Sequence, residues 1–186
     1  MSEPWLVVID PQRIFAAPDS EWGSPLWPGA EANIATLLPR FSGRTIITRW
    51  VPPAPGRREG SWSAYMAAWP FADRDPADPL FDVLDVVRPA IQGGAVVVDA
   101  PTFGKWEQIV AVTGPAPHLV VTGVATDCCV ISTVLPAADA GATISVVTDA
   151  CAGSSLEHQQ AALTVMGLYP PQVDLRTTED ILRSPV

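Results

Sequence analysis

The chain of 186 residues is 48% hydrophobic, enough to fill the core of one domain. Its formal charge of −9 leaves no basic stripe to neutralise phosphates, which argues against nucleic acid and against an anionic membrane surface as partners. Three cysteines, two of them adjacent, make a poor disulfide framework and read as free thiols in a reducing compartment.

The first expected element is a strand at Trp5–Ile9. The stretch MSEPWLVVID runs into it with no basic region, no apolar signal core and no cleavage site. Nowhere does an apolar run approach the roughly 20 residues of a membrane span, so a cytoplasmic protein is expected. A helical pattern over 31–41 leads to a strand at 45–48. The long stretch 50–94 then carries seven of the 20 prolines, with Trp62 and Trp69 among them. It exceeds what a connection between two strands needs. Within a single domain over 1–186 it reads either as a lid-like, substrate-shaping insertion or as a surface excursion with its own small core. Inside it, 80–87 has a helical pattern.

A strand at 95–98 is followed by a helix at 106–112, a strand at 119–122 and a helix at 129–140, with Gly141 placed as its C-terminal cap. A strand at 144–148, a helix at 155–168 and a weaker strand at 172–175 complete the chain. The strand runs are apolar almost throughout, the pattern of strands buried on both faces. Strands alternating with helices predict a three-layer α/β/α sandwich around a mostly parallel, doubly wound sheet of about six strands.

In such sheets ligands bind beyond the carboxyl ends of the strands. Three chemically different groups follow strand ends here: Asp10, Lys105 in the loop APTFGKW, and the pair in GVATDCCV. If a helix starts near Asp127, Cys129 lies in its first turn, where unpaired N–H groups and the helix dipole favour a thiolate. The other reading of both cysteines is core filler. Lys105 is the only lysine, all ten other basic residues being arginine, which suggests a site that needs a compact ammonium; a solvated loop lysine is the alternative. Asp10, ending an apolar strand, is either a working acid or base or a buried partner for a backbone turn. Aromatics beside these loops, namely Phe15, Trp50, Trp62, Trp69, Phe103 and Trp106, are candidates for an apolar pocket wall or plain packing.

VVIDPQRIF, VVVDAPTFGKW and LVVTGVATDCCVISTVLPAADAGATISVVTDACAG, in that order, resemble the cysteine hydrolase, or isochorismatase-like, superfamily. The resemblance implies a catalytic triad of an Asp after the first strand, a Lys near the third and a Cys in the motif Gly, aliphatic, small, Thr, acid, any residue, Cys, Val. On this sequence that motif runs from Gly123 to Val130, with Cys128 in the variable slot and Cys129 in the nucleophile slot. The triad implied is Asp10, Lys105 and Cys129. The usual lysine slot holds Ala100, so the loop to Lys105 must fold back to the same place. A cis peptide between Val124 and Ala125 is also implied, aiming the N–H groups of Ala125 and Cys129 at an oxyanion.

Nicotinamidases of this superfamily hold a metal through a Thr-x-Asp-x-His pattern. The corresponding stretch runs from Thr48 to Pro52, with Trp50 and Pro52 in the ligand positions. The two histidines, His118 and His158, lie elsewhere in the sequence, so neither a metal site of that kind nor any cofactor is expected. The activity implied is hydrolysis of a small-molecule amide through a thioester. Alternatives are vinyl-ether hydrolysis of the isochorismatase type with Asp10 as acid, or a catalytically silent homologue that binds a small molecule or a partner chain. The family commonly assembles as dimers or tetramers.

Overall fold

The computed structural model describes residues 3–183. The strand β1 (Trp5–Ile9) leads into one turn, α1 (Arg13–Ala16), then α2 (Trp27–Leu37) and β2 (Thr45–Trp50). Helix α2 starts four residues earlier than the sequence pattern suggests, at Trp27, with Pro28 in its first turn, where a missing N–H is harmless. It ends at Leu37 because Pro39 cannot donate to the turn before it, and a tighter 3₁₀ turn at Leu38–Phe41 finishes the run.

Residues 50–94 contain α3 (Trp62–Ala68) and α4 (Arg88–Gln92). The expected helix over 80–87 is absent. In its place stand 3₁₀ turns at Pro79–Phe81 and Asp85–Val87, separated by Val83, which bridges antiparallel to Gln12. The side chain of Asp78 caps the first turn through Leu80 N, and the bonds Leu84 N to Pro11 O and Arg13 N to Asp82 O tie the stretch to the chain after β1. A continuous helix would forfeit those bonds.

Then follow β3 (Val96–Ala100), α5 (Trp106–Thr113), β4 (His118–Val124), α6 (Ile131–Asp139), β5 (Thr143–Ala152), α7 (Leu156–Met166), β6 (Val173–Arg176) and α8 (Thr178–Arg183). Gly141, two residues beyond α6, has φ +89°, the left-handed conformation that ends a helix. The six strands are all parallel, in the order β3-β2-β1-β4-β5-β6. Chain direction across the sheet reverses between β1 and β4.

Side-chain alternation divides the core. Leu6, Val8, Ile47 and Val120 face a layer with α1, α2 and α8, whereas Val7, Ile9, Ile46 and Val121 face α5, α6 and α7. The two edge strands depart from the expectation of burial on both faces, β6 with Asp174 and Leu175 exposed. β3 pairs only with β2, and Val96 and Val97 are 36% and 39% exposed. Its apolar run reflects β propensity rather than burial. No helix among the described residues is long and apolar enough to cross a membrane.

Candidate active site

The site lies at the carboxyl ends of β1 and β4, where the winding reverses. Asp10 follows β1 with φ +44°, a region that Asp tolerates better than most side chains. The turn puts the carboxylate, wholly buried, under the sheet edge. Thr48 Oγ1 donates to Asp10 Oδ1 at 2.6 Å. Asp10 Oδ2 accepts no well-aligned hydrogen bond among the described residues; it is paired to Lys105 Nζ at 3.0 Å.

Lys105 is fully buried too. The loop after β3 turns back on itself, and the ammonium donates to the carbonyls of Thr102 and Phe103 at 2.6 and 2.8 Å. Ala100 itself is a buried strand residue whose carbonyl accepts from Val51 N. Gly104 allows the loop to sit against α6: a Cβ there would lie 2.6 Å from Ser132 O. That carbonyl has no helical donor, because the residue four positions on is Pro136. Thr133 then joins loop to helix. Its Oγ1 accepts from Lys105 N at 3.0 Å and donates to Cys129 O at 2.7 Å.

The Cys motif leaves β4 through Gly123, whose φ of +114° and contact with Ile9 O admit no Cβ. The Val124–Ala125 peptide is cis. Thr126–Val130 forms a π-helical turn, its start marked by Cys128 N and Val130 N both donating to Ala125 O. Cys129 is 2% exposed and Cys128 half-buried, and both line one cavity of about 240 Å³ with Ala125.

The sequence reading has the first helical turn favour a thiolate on Cys129; the surroundings of the sulfur push the other way. A side-chain hydrogen bond with Cys128, then burial and the nearby Asp10 carboxylate, push the Cys129 thiol well above its ordinary range. The same bond holds Cys128 below the ordinary value, with Lys105 helping. A helix N-terminus inside a dry, carboxylate-bearing pocket does not outweigh desolvation. At rest Cys129 is therefore a thiol.

Of the aromatic candidates, Phe15, Trp50 and Phe103 line the cavity. Trp62 and Trp69 do not; their rings pack on wall residues, Trp62 on Phe103 at 5.1 Å and Trp69 on Trp22 at 5.5 Å. Trp106 starts α5 on the opposite core and lines a separate groove with Gln108 and Pro136. Sequence reasoning missed Trp22 and Tyr65, which complete the wall. Trp22 lies in a loop with no pattern to read, and Tyr65 was passed over beside Trp62. Burial, with Cys128 and Cys129 close by, lifts the Tyr65 phenol to about 12, so it stays protonated. Asp127 also reaches the cavity and accepts from Ser154 N and Oγ at 2.7 Å; its signal was the acid slot of the motif. His158 Nδ1 lies 2.8 Å from Ser154 Oγ on the exposed face.

Trp50, where a metal ligand would stand, is 1% exposed and packed on Phe81. Among the described residues no group of three or more His, Cys, Asp or Glu is arranged to hold a metal ion.

A family model described as an isochorismatase domain matches residues 4–180. Among solved structures the chain superposes on an isochorismatase-like hydrolase from Alkaliphilus metalliredigens with a TM-score of 0.79, 14% identity and 98% of each chain covered. It also superposes on a cysteine hydrolase from Pseudomonas syringae pv. phaseolicola, with a TM-score of 0.78, 18% identity and 98% and 97% of the two chains covered. A nicotinamidase from Bacillus subtilis gives a TM-score of 0.74, with 15% identity over 94% of this chain and 99% of that one. At these identities the likeness is one of fold. No curated protein matches the sequence.

Proposed function

The chain belongs to the isochorismatase family of hydrolases, and from that premise we propose that it cleaves the C–N bond of a small-molecule amide through a thioester on Cys129, without a metal. The observation that carries this is the buried pair of Asp10 Oδ2 and Lys105 Nζ at 3.0 Å, beneath a cavity that Cys129 lines.

The steps follow from the charges. Because the Cys129 thiol is protonated at rest, attack needs a base, and Asp10 Oδ2, with no hydrogen-bond donor aligned on it, has a lone pair to take the proton. Lys105 stands beside that carboxylate and offsets the charge passing between acid and sulfur. Sγ bonds to the amide carbon; the oxyanion that forms is received by the backbone N–H groups of Ala125 and Cys129. As the C–N bond breaks, Asp10 returns its proton to the leaving nitrogen and an amine or ammonia departs. Water then attacks the thioester, Asp10 taking its proton, and the carboxylic acid leaves as Cys129 is reprotonated.

The test is ammonia release from small primary amides, with intact-mass detection of an acyl-enzyme. Cys129→Ala should lower turnover by at least about 10³-fold. Hydrolysis of a vinyl ether that survives this change but is lost in Asp10→Asn would replace the thiol reading with acid-only chemistry.

A further inference from the structure

The wall of the cavity bears on which amide would enter. Its apolar part consists of the rings of Phe15, Trp22, Trp50, Tyr65 and Phe103. Phe15 and Trp22 lie parallel with centroids 6.0 Å apart, whereas Trp22 meets Trp50 at 67° with centroids 5.7 Å apart, and Tyr65 at 40° and 6.1 Å. Ring walls set at angles present several π faces to one small volume. Among the described residues the charged side chains in that wall are Glu21 and Asp127, both negative, and no lysine, arginine or histidine lines it. The adjacent cation, Lys105, is buried and committed to Asp10 and two carbonyls.

Three kinds of substrate end meet this wall differently. A carboxylate would lose its water and find aromatic faces and two like charges. A neutral alkyl group would gain apolar contact alone. A methylated ammonium would gain the same contact together with attraction to the ring quadrupoles and to both carboxylates, and a quaternary one has no N–H left to satisfy. The volume of about 240 Å³ lies below the roughly 300–1,000 Å³ of sites for drug-sized ligands, which restricts the molecule to a short spacer between the two ends.

We infer that the cavity selects a small amide whose far end is a quaternary or N-methylated ammonium, and rejects amides that carry a carboxylate. The identity of the amide end rests on the hydrolase reading above; the charge selection does not.

Three amides of similar size separate the two. 2-(Trimethylammonio)acetamide is the cation, 3,3-dimethylbutanamide its uncharged carbon isostere, and succinamate the anion. Binding to Cys129→Ala, measured by calorimetric titration, should favour the cation over the isostere by about tenfold, equivalent to about 1.4 kcal/mol, with the anion weakest. Glu21→Gln in the same background should shrink the ratio of cation to isostere by threefold or more. Parity of cation and isostere, preference for the anion, or no binding of the cation overturns the inference. Turnover by the unaltered enzyme is scored separately. A cation bound tightly but never hydrolysed sinks the hydrolase reading and leaves the selectivity standing, whereas hydrolysis of these amides without preference for the cation does the reverse.

Discussion

Thr48 holds Asp10 from two sides: its Oγ1 accepts from Asp10 N at 3.1 Å and donates to Asp10 Oδ1 at 2.6 Å. One hydroxyl thus fixes both the left-handed turn and the rotation of the carboxylate, leaving Oδ2 to Lys105 and to the proton transfer proposed above. Thr48→Val keeps the volume and removes both bonds, stranding a buried donor and acceptor. The expected loss is about 1–3 kcal/mol of stability, with at least a tenfold fall in kcat. Thr48→Ser should retain most of both. Denaturant titration and steady-state kinetics check this, and a Val variant with unchanged kcat would remove Thr48 from the positioning of Asp10.

Alkylation of the adjacent thiols should run in the order opposite to the roles proposed for them. Cys128, held low by its bond with Cys129, should react with iodoacetamide at a pH where ordinary thiols are still protonated. Cys129, pushed up by that bond, by burial and by Asp10, should react last and only above the ordinary thiol range. Fragment-ion mass spectrometry assigns the label. Preferential labelling of Cys129 at neutral pH in the free enzyme would contradict the charge state described above.

The buried pair of Asp10 and Lys105 should be costly to halve and cheap to remove whole. Lys105→Met leaves an uncompensated buried carboxylate, with an expected loss of about 3–5 kcal/mol and no activity. Adding Asp10→Asn to it should recover much of the stability and none of the activity. Lys105→Arg should also be inactive, since a planar guanidinium cannot reach Asp10 and the carbonyls of Thr102 and Phe103 from one compact point. A double-mutant cycle by thermal unfolding gives the coupling; additive losses would argue against a true pair.

Cys151 supplies a pH dependence in the alkaline range. Burial, with Asp149 nearby, raises its thiol from 9.0 to about 12. A raised folded value means that the native state retains a proton the unfolded chain has lost. The contribution is complete below the unfolded value and disappears as pH climbs from about 9 towards 12, by an amount on the order of 4 kcal/mol. Stability of the parent protein should therefore fall more steeply across that window than that of Cys151→Ala. Parallel curves from urea unfolding at a series of pH values would refute the assignment.

The alternation of strands and helices made the sheet legible, because burial on two faces writes continuous apolar runs into β1, β2, β4 and β5. β3 wrote the same run while lying at an exposed edge, since β-branched residues suit a strand whether or not it is covered. Asp10, Lys105 and Cys129 could be picked out because each follows a strand at the ligand-binding edge. What could not be read were the residues that meet them by tertiary contact: Thr133, whose hydroxyl links Lys105 N to Cys129 O, and Trp22, which reaches the cavity from an irregular loop. The direction in which the Cys129 thiol is pushed was not legible either, because it depends on Cys128 and Asp10 as neighbours in space.

The central position of β1 sets the order in which the molecule can be completed. Its two hydrogen-bonding edges are taken by β2 and β4, so Leu6 pairs with Thr45 on one side and Val120 on the other. During synthesis Asp10 and β2 emerge early, but β4, the second strand that flanks β1, and Lys105, which matches the charge of Asp10, arrive only in the second half of the chain. Until then β1 has one open apolar edge, the kind of surface that chaperones cover and that pairs wrongly when left bare. Chains cut short before residue 124 should expose it permanently. Premature termination in that region would therefore yield an aggregation-prone fragment rather than a weak enzyme.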